Sequence, residues 1–166
     1  MVLVDSSAWI ESLRRNGDMR VKLAIEGLLD AYEAQWCSPV RLEVLGGARQ
    51  EERALLGKRF SVIPYRSCRE DDWDRAVALA WRLRSKGLTV PWLDVLIAAI
   101  AIHDGVRLYA IDAHFQEIAK HTTLLLYRPG YGGSYNDVDD GLKWCSEQSW
   151  SVKLESCIHE ASSVST

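Results

Sequence analysis

No stretch of this 166-residue chain is both long and uncharged. A membrane-spanning helix needs about 18–20 such residues, and the longest apolar run, 95–102, stops at His103 and Asp104. The opening Met1-Val2-Leu3-Val4-Asp5 has no basic segment and meets an acid too early for a secretory leader, so a cytoplasmic protein is expected. Cys37, Cys68, Cys145 and Cys157 form no Cys-x-x-Cys pair, which argues against a zinc site or redox motif and leaves reduced, mostly buried thiols. No Gly-x-Gly-x-x-Gly follows a strand, and no Ser/His/Asp set has the spacing of a nucleophile elbow. Dinucleotide enzymes and serine hydrolases fall away. A phosphatase of the haloacid-dehalogenase type would need a second Asp two residues after Asp5, where Ser7 stands, and a receiver domain would need an acidic pair after the first strand.

Positive charge is also scarce. The net charge is −3, whereas nucleic-acid enzymes usually carry a basic footprint. The deficit is local. Residues 129–166 hold six acids and two bases, while residues 1–128 hold 18 bases and 17 acids. An anionic substrate is therefore compatible with the first part of the chain.

What is present is an alternation of short apolar runs and helical patterns. Residues 1–5 are expected to be a short buried strand and 106–111 a clear strand, with 35–38 a second strand, 60–64 strand-like and 122–127 a last strand. Helices are expected over 7–14 and 21–32, after Pro39 as far as Gly46-Gly47, and over 51–58. Further helices are expected over about 71–85, capped by Asp71 or Asp72, over 92–103 and over 115–120. Strands alternating with helices predict a parallel sheet covered on both faces, with its site beyond the carboxyl ends of the strands. From Pro129 the composition turns Gly-rich, acidic and Ser/Thr-rich. The expectation is a domain over 1–128 and an extension over 129–166 that packs loosely or not at all, although its Trp144 and Trp150 could dock on the domain.

Four acids stand where such a sheet would gather them. Asp5 and Asp112 end strands, Glu43 lies in the helix after the second strand, and Asp94 lies in the first turn of an otherwise apolar helix. Each has a plain reading: Asp5 and Asp112 as helix caps, Glu43 as a solvated residue, Asp94 as an acid favoured by the helix dipole. As a set they repel. Two carboxylates about 4 Å apart cost about 4 kcal/mol at an effective dielectric near 20, and a divalent cation resolves that conflict with oxygen ligands.

Asp5-Ser6-Ser7-Ala8-Trp9-Ile10, Glu43-Val44-Leu45-Gly46-Gly47, Asp94-Val95-Leu96-Ile97-Ala98-Ala99 and Ile111-Asp112-Ala113-His114-Phe115 resemble the four motifs of PIN-domain nucleases, closest to the VapC toxins of toxin–antitoxin pairs. The resemblance spans about residues 1–128. It implies a three-layer α/β/α fold and a Mg²⁺- or Mn²⁺-dependent endoribonuclease, usually dimeric and held inactive by a VapB-type antitoxin. It also implies Asp5, Glu43, Asp94 and Asp112 as the catalytic and metal-binding acids, with Ser6 as an auxiliary polar group. Ala110 and His114 depart from the fourth motif, where many relatives carry Thr and an acid. His114 could donate to phosphate, although an ordinary surface histidine is the preferred reading. A PIN-like binding module that does not cut, and a DNA nuclease, are the alternatives. Arg14, Arg15, Arg20 and Lys22 are read as a solvated helix face. Trp73, Val77, Ala80, Trp81 and Arg84 recur at helical spacing, as core or as a dimer surface.

Overall fold

A computed structural model describes residues 1–130. Strand β1 (Val2–Val4) is wholly buried because it is paired on both edges, with Val2 opposite Ala34 of β2 (Ala34–Cys37) and Arg107 of β4 (Arg107–Tyr109). A parallel partner on each side and helices above and below leave no face for polar side chains, which explains the unbroken apolar run. The order β3-β2-β1-β4 is parallel throughout. The chain steps outward through β2 to β3 (Tyr65–Arg66) and returns to place β4 on the far side of β1. The switch point therefore falls between β1 and β4, where crevices form at the strands' carboxyl ends.

Seven helices complete the described residues: α1 (Ser6–Leu13), α2 (Met19–Asp30), α3 (Ser38–Gly46), α4 (Arg53–Phe60), α5 (Glu70–Arg84), α6 (Trp92–Asp104) and α7 (Ala113–Lys120). Around the parallel sheet they give the three-layer α/β/α arrangement expected from the alternation. The α6 helix is buried over most of its length, as its apolar composition requires, and it packs against α3, α5 and α7. It ends where Gly105 takes the left-handed conformation, φ 64°, which glycine adopts without steric cost.

Three expectations are corrected. The run 60–64 is not a strand: Phe60 closes α4, and its ring sits 5.0 Å from Trp9 and 4.6 Å from Trp36. Its hydrophobicity serves an aromatic cluster, and pairing begins only at Tyr65. Residues 122–127 form no strand but a single parallel bridge, Leu108 to Leu126. Neither Asp71 nor Asp72 is the cap of α5. Arg69 is the cap residue, and Asp72, at the third helical position, accepts its backbone N–H at 2.6 Å.

That last acid has a second task. Asp72, 1% exposed, takes two bonds from the Arg66 guanidinium, at 2.5 and 2.9 Å. Arg66 also holds Asp104 at 2.9 and 3.1 Å, and Arg69 reaches the same carboxylate at 3.4 Å. This clasp ties β3 and the start of α5 to the end of α6. Among the cysteines within the described residues, Cys37 is buried and Cys68 half-buried, both reduced. Burial pushes the Cys37 thiol up to about 12, which leaves it inert. Of the extension, all but Pro129 and Gly130 lies outside the described residues, including Trp144, Trp150, Cys145 and Cys157.

Candidate active site

Asp5 follows β1 directly and Asp112 stands three residues beyond β4, so both reach the carboxyl edge beside the switch point. Each is also a helix cap. Asp5 accepts the backbone N–H of Ser7 at 2.8 Å to start α1, and Asp112 accepts that of His114 at 2.9 Å to start α7. The cap reading and the convergence of charge therefore hold together for these two residues.

Asp5 is 3% exposed. Burial raises its carboxyl above the usual range, against the pull of the Ser7 bonds, and Asp112 adds repulsion. The Ser7 hydroxyl donates to Asp5 at 2.5 Å and accepts the Ile111 backbone N–H at 3.2 Å. One side chain thus links the end of β1 to the segment leading from β4 to Asp112. The motif's first serine, Ser6, lies instead against Glu43, whose carboxyl is raised by burial and by Asp5 and steadied by a Ser6 hydrogen bond. Glu43 is not a solvated helix residue: its Oε2 is buried and has no hydrogen-bond partner.

Asp94 comes from the first turn of α6. Burial lifts its carboxyl to about 6, the His114 bond opposes that rise, and Asp5 and Asp112 add to it. His114 is not an ordinary surface histidine. Its Nδ1 lies 2.9 Å from Asp94 Oδ2 and 3.1 Å from Asp112 Oδ1, joining α6 to α7. Ser7 and His114 are the partners that reading the sequence missed or discounted. The Asp-x-Ser spacing at a helix start, where a hydroxyl at the second position folds back on the cap, was the available signal for Ser7.

The four acids are thus neighbours. Asp5 lies within electrostatic reach of Glu43, Asp94 and Asp112, and Asp94 lies within reach of Asp112. The group fits a divalent cation on two counts. Asp94, Asp112 and His114 offer one ligand atom each within 4.8 Å of one another. The unpartnered Glu43 oxygen is the kind of buried polar atom that a missing ligand explains. By contrast, Arg14 and Arg20 are tied to Glu11 and Asp18 and Lys22 to a backbone carbonyl, as a solvated face would be.

A parallel sheet with acids gathered at its switch point from two strands and two helices is the architecture of the PIN class. The family model described as "PIN domain" matches residues 2–121, and the chain belongs to that family. It is 34% identical over 129 residues to the VapC ribonuclease Mb1587 of Mycobacterium bovis and to ribonuclease VapC11 of Mycobacterium tuberculosis. In each case 75% of this chain and 96% of the relative are covered. Two solved structures share the fold. VapBC2 from Rickettsia felis, bound to a DNA fragment from their promoter, matches with a TM-score of 0.64 at 19% identity, over 76% of this chain and 98% of that one. FitAcB from Neisseria gonorrhoeae matches with a TM-score of 0.63 at 17% identity, over 79% and 99%. Among the described residues, no helix is long and apolar enough to cross a membrane.

Proposed function

We propose that this chain is a divalent-metal-dependent endoribonuclease of the cytoplasm, acting as the toxin of a toxin–antitoxin pair. The observation that supports the activity is that Asp5, Glu43, Asp94 and Asp112 lie within electrostatic reach of one another, with no arginine or lysine coupled to Asp5, Glu43 or Asp94 among the described residues. RNA as substrate follows from the 34%-identical relatives named ribonucleases. An antitoxin partner follows from the VapC kinship, and the VapBC2 fold match agrees with it.

Asp5, Glu43, Asp94 and Asp112 would hold Mg²⁺ or Mn²⁺, with His114 against two of them. Once bound, the ion supplies Lewis acidity toward a water and toward the scissile phosphodiester. The protein's own part is to keep the carboxylates in place. Ser7 fixes Asp5 and ties it to the approach of Asp112, Ser6 steadies Glu43, and His114 spans Asp94 and Asp112. Burial of Asp5 keeps water from its carboxylate and strengthens the charge interactions that this side chain makes.

The test is incubation of the full chain with a mixed single-stranded RNA and with the DNA of the same sequence. Cleavage of the RNA in Mn²⁺ or Mg²⁺, abolished by EDTA and restored by the ion, is expected. Cutting of the DNA alone would move the assignment to a deoxyribonuclease, and no cutting of either would reduce the chain to a binding module.

A further inference from the structure

Helix α5 buries Ala76, Leu79 and Leu83 and is flanked by two grooves of different character. On one side the exposed Trp73, Val77 and Trp81 form an apolar stripe. On the other, Arg75 and Arg82 of α5 line an open groove of about 410 Å³ with His103 of α6, over a floor of Leu79, Ala99 and Ile102. Arg75 and Arg82 are seven residues apart, so they leave the same side of the helix about 10 Å from one another. These cations are barely answered. Among the described residues the side chains of Arg82 and His103 have no ion-pair or hydrogen-bond partner, and Arg75 has only the exposed Asp71 at 4.0 Å. Asp104, next to His103, is already taken by Arg66 and Arg69.

The chain carries its own counter-charge. Residues 131–166 hold six acids against two bases, and Asp137, Asp139 and Asp140 fall within four positions. They lie outside the family domain, whose match ends at residue 121. Their tether starts within reach of the groove. Leu126, four residues before Gly130, bridges Leu108 in parallel, and His103 lies five residues before Leu108. At about 3.4 Å per residue and about 4.8 Å across the bridge, Gly130 is at most about 36 Å from His103. The chain from Gly130 to Asp140 covers about 34 Å when extended. So short a tether holds the acids at an effective concentration on the order of millimolar. Ion pairs too weak to join separate molecules are then enough to close the contact.

We propose that the groove between α5 and α6 is the docking site of the chain's own extension, with the acidic run 137–140 laid against Arg75, Arg82 and His103. The contact is independent of the nuclease reading.

Cross-linking of the full chain tests it. Arg82→Lys keeps the charge, and a carbodiimide joins its amine to a carboxylate in direct contact. The expected product is a link within one chain from position 82 to the acids of 137–140, read by mass spectrometry of the digested protein. It should exceed links from the extension to Lys22 or Lys58 by about tenfold and fade at about 0.5 M NaCl, where charges are screened beyond about 4 Å. Chymotrypsin gives a second readout without a new amine. Arg75→Glu with Arg82→Glu should speed cleavage after Tyr135 or Trp144 by about tenfold, and adding Asp137→Arg with Asp140→Arg should return the wild-type rate. Both arginines are exposed, so the circular dichroism spectrum should not change. Links spread evenly over the lysines, links only between two chains, or cleavage indifferent to the reversal overturns the proposal. If the reversal weakens binding of single-stranded RNA and leaves cleavage of the extension unchanged, the groove belongs to nucleic acid and the proposal fails.

Discussion

Two clusters of charge sit at opposite ends of α6, and they differ in how they are balanced. At its carboxyl end, Asp72 and Asp104 are answered by Arg66 and Arg69 through direct hydrogen bonds. At its amino end, Asp94 joins Asp5, Glu43 and Asp112 with a single histidine between two of them. The first cluster is complete within the chain and holds the fold together. Among the described residues, no arginine or lysine pairs with the second, and one of its buried carboxylate oxygens, Glu43 Oε2, has no partner. A cluster that the other described residues leave unneutralised suits a cation from outside, which supports the proposal that the amino end of α6 is the place for chemistry.

The contrast can be broken by experiment. The largest effect is expected at the unbalanced cluster. Asp94→Asn removes a negative charge and should lower RNA cleavage by about a thousandfold or more, while the metal-free protein melts at the same temperature or higher. It should also lose the rise in melting temperature that Mn²⁺ gives the wild type by binding the folded state. A variant that still cuts, or that melts markedly lower in EDTA, would put Asp94 in the structural category instead.

At the balanced cluster the opposite pattern is expected. Arg66→Met strands the buried Asp72 and should cost about 3–5 kcal/mol in urea unfolding, with the Mn²⁺ response of the surviving folded protein unchanged. The smallest effect sharpens the same point through pH. Burial works against the charge on Asp72, but Arg66 and the Arg69 backbone outweigh it and hold its carboxyl below the ordinary 3.8. A depressed folded-state value gives stability that is fully present above the ordinary carboxylate range. That stability is lost as pH falls through the folded value. The gap in stability between wild type and Arg66→Met should therefore narrow below about pH 4; a constant gap across pH 3–7 would show that the ion pair contributes no charge-dependent stability.

The parts of the fold that could be read in advance were those with one dominant physical cause. β1 and α6 are apolar because they are enclosed, and Gly105 and Pro39 mark helix ends for steric reasons. Phe60 misled because burial in an aromatic cluster and burial in a strand leave the same trace in sequence. The start of α5 was misplaced because Asp72 serves Arg66 as well as the helix end, a contact between elements that no local pattern carries. In the pocket, the four acids were visible as strand-end and helix-start positions. Their supports were harder to see: His114 acts across a 20-residue separation and Ser7 across 104, and such partners are set by tertiary packing. The stripe on α5 was visible as a period, but only exposure decided between core and surface.

The double duty of Asp5 and Asp112 bears on how such a protein would decay. Each carboxylate begins a helix, so a lineage that stopped cutting would still be penalised in folding for discarding either one. Asp94 and Glu43 cap nothing. In a retired copy the erosion should start with those two, which makes Asp94 and Glu43 the residues whose presence bears most on whether the proposed pocket cuts.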